Sequence, residues 1–213
     1  MPAFETLLTF FGVSVLLGLT PGPDNLFVLL QSAQRGWRAG MAVVLGLCAG
    51  LVVHTAAVAL GLAAVFAASA MAFTVLKYCG AAYLAYLAWQ ALRAPAATAQ
   101  EPASAPGNPG GPGLGRMVGR GMVMNLTNPK VLVFFLAFLP QFADPARGSV
   151  ALQLMLLGAA FMLATLLVFV ALACFSGGFG ALLQRSARAQ TVLNRVAGLV
   201  FLGLAVRLAT AER

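Results

Sequence analysis

The stretch Gly18-Leu-Thr-Pro-Gly-Pro-Asp-Asn-Leu-Phe-Val28 lies inside a hydrophobic run that extends from Phe4 to Leu30. A membrane-spanning helix needs about 20 apolar residues, so this run is long enough to cross a bilayer once. Its prolines and glycine interrupt the helix near mid-span, where freed backbone groups have no water to bind. Such a break is tolerated only where it is buried in protein or lines a polar cavity. The stretch therefore predicts a broken transmembrane helix with an internal site.

The composition is that of an integral membrane protein. Of the 213 residues, 61% are hydrophobic and only 8% are charged, and the mean hydropathy is +0.93. A soluble domain cannot keep so few charges on its surface, which indicates an all-α protein built of transmembrane helices. The formal net charge of +8 does not indicate nucleic-acid binding, because the arginines fall in short connections between apolar runs. The three cysteines occur without a Cys-x-x-Cys pair and predict neither a disulfide framework nor a metal site.

The apolar runs predict about six membrane spans, since one span takes about 20 residues. Helix one is the broken run, and helix four is broken in the same way at Asn125-Leu-Thr-Asn-Pro-Lys130. A Pro- and Gly-rich stretch before helix four has no apolar periodicity and predicts a flexible linker. The chain divides into a first three-helix repeat at 1–93, a flexible cytoplasmic linker at 94–118 and a second three-helix repeat at 119–213. We place the other helices near 40–66, 71–92, 150–175 and 191–210, with helix four near 121–142 and a tight turn at 67–72.

Short matches in the same order indicate that the two halves form an internal repeat. Leu19-Thr-Pro-Gly-Pro23 corresponds to Leu126-Thr-Asn-Pro-Lys130, and Lys77-x-x-Gly80 corresponds to Arg195-x-x-Gly198. Three spans per repeat is an odd number, so the halves insert with opposite orientation, as in the inverted-repeat plan of secondary transporters. This plan places a site near the membrane midplane, where the two broken helices meet.

The arginines of the connections predict the orientation of the chain. Most of them follow helices one, three and five, and by the positive-inside rule those connections are cytoplasmic. Both termini of this multi-pass protein are then periplasmic. The sequence leaves the oligomeric state open, and a homo-oligomer is among the states it allows.

The two breaks bring together groups that suit a zwitterion. The prolines end one half-helix and start the next, so free amides and the positive end of a helix dipole face the interior. These amides and Lys130 suit a carboxylate, whereas Asp24 and the freed carbonyls suit an ammonium. We therefore predict a substrate and proton site formed by Thr20, Pro21, Gly22, Pro23, Asp24, Asn25, Asn125, Asn128, Pro129 and Lys130.

Two ionisable residues have simpler interpretations, which the sequence leaves open. Asp24 is the one acidic residue predicted deep in the membrane. It handles substrate or protons, caps the second half-helix, or pairs with Lys130 to hold the two halves together. His54 on helix two is either a proton relay or a hydrogen-bonded packing residue.

Two motifs resemble those of a known family. Gly18-x-x-Pro-Gly-Pro-x-Asn25 is followed by Gln34-Arg-Gly36 and then by Asn125-x-x-Asn-Pro-Lys-x-x-x-Phe-Phe-x-x-Phe-Leu-Pro-Gln-Phe142. With these motifs, the whole chain except the linker resembles the LysE/RhtB family of amino-acid exporters. The resemblance implies export of amino acids or close derivatives across a bacterial inner membrane, driven by the proton motive force. The implied partners are an amino-acid substrate, protons and the lipid bilayer, and the resemblance implies no enzymatic activity, catalytic residue or cofactor.

Two other functions are weighed against amino-acid export. The first is a metal-cation exporter. The second is a membrane thiol-redox protein, because related three-plus-three membrane proteins that move reducing equivalents carry a cysteine in each broken helix. Neither break contains a thiol here, and Cys48, Cys79 and Cys174 are unrelated by the repeat, so thiol exchange lacks its reagent.

Overall fold

The computed structural model describes residues 1–20, 22–68, 70–93, 113–175 and 186–210, and these residues are helical with short connections. The predicted all-α class is confirmed for this part of the chain. The helices are α1 (Phe4–Leu19), α2 (Pro23–Arg35), α3 (Trp37–Ala68), α4 (Ala70–Arg93), α5 (Leu114–Thr127), α6 (Pro129–Val133), α7 (Val150–Cys174) and α8 (Ala187–Thr210). The α6 helix continues as a π-helical turn at Phe134–Phe138 and a 3-10 turn at Leu139–Phe142, and a second 3-10 turn, Pro145–Arg147, precedes α7.

Both predicted helix breaks are present. The chain bends by 61° between α1 and α2, and by 54° between α5 and the segment Pro129–Phe142. Pro23 and Pro129 each occupy the first turn of the helix that follows the break. Proline suits this position because its missing N–H is one of the donors that a helix start leaves unpaired in any case.

Several helix ends differ from the prediction. Helix α5 starts at Leu114, so the predicted linker at 94–118 is too long and helix four begins well before 121. Its buried positions Met117, Gly121 and Asn125 recur every four residues, and packing of this face on α3 outweighs the weak helix propensity of its glycines. Residues 94–112, the rest of the predicted linker, lie outside the described residues.

The number of membrane spans is confirmed only in part. By length and composition, Trp37–Gly61 and Val150–Cys174 are each apolar enough to cross a membrane. Four segments qualify if each bent helix pair counts as one span. Over the residues that the structure describes, α4 and α8 do not pass the same test, so the six-span arrangement stays a prediction.

The helices pack in a regular pattern. Helix α1 lies along α7, α5 lies along α3, α3 contacts α7, and α4 pairs with α8. Helices α3 and α5 cross closely, since a methyl group on Gly46 would collide with the backbone carbonyl of Val118. A methyl group on Gly121 would collide in the same way with the carbonyl of Val43. Two glycines therefore let these helices touch through their backbones.

Two apolar clusters flank the helix breaks. The phenylalanine cluster consists of Phe10, Phe134, Phe135, Phe138, Phe142 and Phe161, whose rings contact one another. The Val28 cluster consists of Val28, Val43, Leu47, Met117, Phe169 and their apolar neighbours. Along each of the two broken helix pairs, the polar residues of the break lie between the two clusters. The fold thus seals a polar layer on both sides.

Candidate functional site

The two helix breaks are joined by a hydrogen bond. Asn128 Nδ2 donates to Asp24 Oδ2 at 2.9 Å, and both side chains are buried. The other side-chain atom of Asn128, Oδ1, accepts the backbone N–H of Lys130 at 3.0 Å and so caps α6. Asn128 therefore fixes the start of one half-helix and orients the carboxylate of the other.

The side chain of Lys130 binds the end of α1. Its Nζ donates to the carbonyl oxygens of Leu17 at 3.3 Å and Thr20 at 3.2 Å. In a continuous helix the Leu17 carbonyl would accept the N–H of the residue four positions later, which is Pro21 and has no N–H. The freed carbonyls also form the negative end of the helix dipole, which favours a cation. The proline thus creates the acceptor that the lysine occupies.

The structure corrects two of the interpretations that the sequence left open for Asp24. Gly22 is the N-cap residue of α2, with no side-chain cap hydrogen bond, and Asp24 lies in the first turn. In the described part of the chain, no ion pair of 4.0 Å or less joins Asp24 to Lys130. The carboxylate is neither a cap nor half of a direct salt bridge, because Asn128 binds it and the freed carbonyls bind the ammonium.

Asn25 ties the two half-helices of the first break together, and Gly22 leaves room for Lys130. Asn25 Nδ2 donates to the carbonyl of Gly18 at 2.7 Å, which ties α2 back to α1. A methyl group on Gly22 would lie 3.3 Å from Lys130 Nζ, so a side chain here would crowd the lysine. The Thr20 hydroxyl bonds the Leu16 carbonyl at 2.8 Å and does not face the site.

The second break places Asn125 beside His54. The residue four positions after Asn125 is Pro129, so the Asn125 carbonyl also loses its helical donor. This carbonyl accepts the N–H of Asn128 and lies 3.4 Å from His54 Nε2. The His54 ring also lies 5.5 Å from that of Phe135. These contacts are those of a hydrogen-bonded packing residue, and the proton relay stays a prediction.

A small cavity of about 20 Å³ lies where the two breaks meet. Its polar lining comes from Asp24, Asn125, Thr165 and Lys130, and its remaining walls are mostly apolar. Asp24 Oδ1 and Asn125 Oδ1 are buried without a hydrogen-bond partner, and so is the nearby Asn25 Oδ1. Three unpaired acceptors call for a ligand that donates hydrogen bonds. A cavity of this size holds about one water molecule, so a larger ligand requires the site to open.

The structure therefore brings together five of the ten predicted site residues. Asp24, Asn25, Asn125, Asn128 and Lys130 meet at the junction, whereas Pro21 lies outside the described residues. The two other prolines, Pro23 and Pro129, shape the backbone and contribute no polar side chain. Sequence reasoning missed Thr165, which lines the cavity from α7. The sequence does contain a sign of this residue, because Thr165 and Gln153 are the polar side chains of an otherwise apolar helix.

Comparison with known proteins identifies the family of the chain. A family model described as LysE type translocator matches residues 15–212. The homoserine/homoserine lactone efflux protein of Salmonella typhimurium is 32% identical over 98% of each chain. An uncharacterized membrane protein of Pseudomonas aeruginosa is 35% identical over 92% of this chain and 91% of its own. An uncharacterized membrane protein of Vibrio cholerae is 31% identical over 96% of this chain and 97% of its own.

No solved structure matches the chain. The family match nevertheless covers nearly all of the sequence, and it includes both helix breaks and the residues that join them. The apolar helices and the relatives named as membrane proteins agree with this assignment. The chain belongs to the LysE type translocator family and is a membrane transporter.

Proposed function

We propose that this protein exports amino acids or close derivatives that carry a free amino group, and that the substrate binds between the two helix breaks. The observation that carries the proposal is Asp24, a buried carboxylate with one unpaired oxygen in the wall of the cavity. Such an oxygen suits a substrate ammonium. Homoserine and homoserine lactone, which name the Salmonella relative, share an amino group but not a free carboxylate. The amino group is therefore the handle that the site recognises.

The substrate ammonium binds Asp24 Oδ1 and Asn125 Oδ1, which have no partner in the closed site. A substrate carboxylate, where one is present, binds Lys130 and the free amides at the starts of α2 and α6. Lys130 then exchanges its two carbonyl acceptors for the substrate. Export is driven by the proton motive force, and Asp24 carries the coupled proton, with His54 as a candidate relay.

The proposed architecture has six spans, arranged as two three-helix repeats of opposite orientation. The packing supports this arrangement, because the contact of α1 with α7 has its counterpart in that of α5 with α3. The amino group of Met1 donates to the carbonyl of Arg147 at 2.8 Å, so the N-terminus and the turn before α7 share one end of the molecule. The positive-inside rule makes that end periplasmic in a bacterial inner membrane.

The test is uptake of a labelled amino-acid panel by everted vesicles, with and without a proton gradient. Asp24→Asn should abolish or uncouple export while the protein still inserts, because the amide keeps the size of the side chain but cannot ionise. Asp144→Asn is the matched control, since Asp144 is an exposed carboxylate in the turn before α7. Export by Asp24→Asn at the wild-type rate would reduce Asp24 to a structural role.

A second pair of variants separates function from charge balance. Lys130→Met should also fail, because it removes the cation from the α1 carbonyls. If Asp24 and Lys130 only neutralised each other, the double variant Asp24→Asn/Lys130→Met should recover, since no charge is then left buried alone. We expect no recovery. A double variant that exports like wild type would leave the half-helix amides and the asparagines as the substrate site.

The same vesicles distinguish the two alternative functions. Gradient-dependent movement of a metal ion, without movement of any amino acid, would favour a metal-cation exporter. For the thiol-redox alternative, the three cysteines are free and lie on three different helices. Replacing all three by alanine or serine should leave export near wild type. Loss of export with the protein still in the membrane would instead favour the thiol-redox function. The residues replaced are Cys48, Cys79 and Cys174.

A further inference from the structure

The buried face of α2 is polar. Its buried residues are Asp24, Asn25, Val28, Gln31 and Ser32, which follow the spacing of one helical face over more than two turns. The outer face carries apolar residues such as Leu26, which is 60% exposed. Asparagine, glutamine and serine on a buried membrane-helix face ordinarily hydrogen-bond to neighbouring helices, and an ionisable side chain there marks a functional site. The pattern is that of a helix lining an aqueous route.

Each polar side chain on this face has a buried oxygen without a hydrogen-bond partner. The atoms are Oδ1 of Asp24, Oδ1 of Asn25, Oε1 of Gln31 and Oγ of Ser32. An unpaired buried acceptor is unfavourable, and native proteins hold few of them. Four such atoms on one helix face therefore indicate that hydrogen-bond donors reach this face in another state of the transporter.

Val28 divides the polar face into two parts. It is the apolar member of the buried set, it is fully buried, and it packs in the Val28 cluster against α3, α5 and α7. Asp24 and Asn25 lie on one side of it, at the cavity, and Gln31 and Ser32 lie on the other. An apolar residue between two polar positions blocks water and polar solutes while the helices are closed.

We propose that this face of α2 lines the route between the cytoplasm and the cavity at the helix breaks, with Val28 as its gate and with Gln31 and Ser32 as a cytoplasmic subsite for the substrate ammonium. The inference rests on the proposed function, because it takes the amine-bearing substrate from that proposal. Gln31 and Ser32 both have unpaired oxygens, which suit an ammonium or its hydrating water. The substrate contacts this subsite before it passes Val28 and binds Asp24.

The ends of α2 allow it to move as a unit. Gly22 precedes the helix, and Gly36 follows it with a φ of +83°, a conformation that favours glycine. In the closed state Ser32 lies against α3, because a methyl group on Gly40 would collide with its Oγ. Opening the route therefore requires α2 to separate from the start of α3, with the two flanking glycines absorbing the change.

Thiol labelling tests the route without relying on transport. In a background with the native cysteines replaced, Gln31→Cys, Ser32→Cys and Val28→Cys are treated in everted vesicles with a charged, membrane-impermeant thiol reagent. Leu26→Cys is the matched control, because it lies on the exposed apolar face of the same helix. We expect labelling at 31 and 32, slower labelling at 28, and none at 26. Saturating homoserine, used as the probe, should slow labelling at 31 and 32.

Transport by gate variants gives a second readout. Val28→Trp should block export, and Val28→Ala should raise passive leak of the labelled substrate severalfold, whereas Leu26→Trp should export normally at equal protein level. Two results would overturn the route and leave the proposed function standing, provided that the wild type exports amino acids. In the first, the cysteines at positions 31 and 32 are labelled no more than the cysteine at 26. In the second, Val28→Trp exports normally. Wild type that exports no amino acid would overturn the proposed function itself, whatever the labelling pattern.

Discussion

Asn128 serves two purposes that substitution can separate. Its Nδ2 binds the Asp24 carboxylate at 2.9 Å, and its Oδ1 caps α6 by accepting the Lys130 N–H at 3.0 Å. Asn128→Ser keeps a good N-cap residue, but its side chain is too short to reach Asp24. Asn128→Ala removes both interactions. The two variants together therefore measure the link between the breaks apart from the cap.

The expected losses follow from these contacts. A hydrogen bond to a charged group contributes about 1.5–3 kcal/mol, so Asn128→Ser should lower the free energy of unfolding by that amount. Loss of an N-cap costs about 1 kcal/mol more, which brings Asn128→Ala to roughly 2.5–4 kcal/mol. Export should fall in both variants, because the Asp24 carboxylate loses the partner that orients it.

The assay combines denaturant unfolding of the purified protein in detergent micelles with export in everted vesicles. Thr127→Ala is the control, since Thr127 is exposed and its hydroxyl bonds only its own helix. This variant should stay within about 0.5 kcal/mol of wild type. If Asn128→Ser unfolded and exported like wild type, the bond between the breaks would not contribute to either property. Equal losses of unfolding free energy in Asn128→Ser and Asn128→Ala would instead show that the N-cap of α6 does not contribute to stability.

Three further predictions concern the packing and the connections. Gly46→Ala should destabilise the protein strongly, because its methyl group would collide with the Val118 carbonyl, whereas Gly12→Ala, which meets nothing within 4 Å, should be tolerated in the same unfolding assay. Gln153→Leu should speed proteolysis in the turn before α7 and leave substrate affinity unchanged, since its amide bonds three backbone groups of that turn. Deletion of part of 98–112 should leave export at normal protein levels, and a collapse of export would show that this segment controls transport.

The sequence alone determined the class of the protein and the position of both breaks. Apolar run length and low charge require transmembrane helices, and proline interrupts a helix through its own covalent structure, whatever surrounds it. For the same reason the prolines mark which backbone carbonyls lose their donors. Five residues of the candidate site, Asp24, Asn25, Asn125, Asn128 and Lys130, could thus be named from the sequence, because they lie within a few positions of the breaks.

Other boundaries could not be read from local sequence. The start of α5 at Leu114 depends on its packing against α3, which a glycine-rich segment does not reveal by propensity. Thr165 joins the cavity only because α7 passes beside the junction of the two breaks. Both facts depend on contacts between segments that are far apart in the chain.

The partners within the site were decided by the tertiary structure. The sequence allowed an ion pair between Asp24 and Lys130. In the structure, Lys130 binds backbone carbonyls at the end of α1, and Asp24 binds Asn128. Opposite charges need not pair directly when backbone carbonyls and a side-chain amide lie closer and in better geometry. A proline leaves the carbonyl four residues before it without its helical donor wherever it occurs, whereas the folded arrangement of α1 and α6 decides which cation reaches that carbonyl.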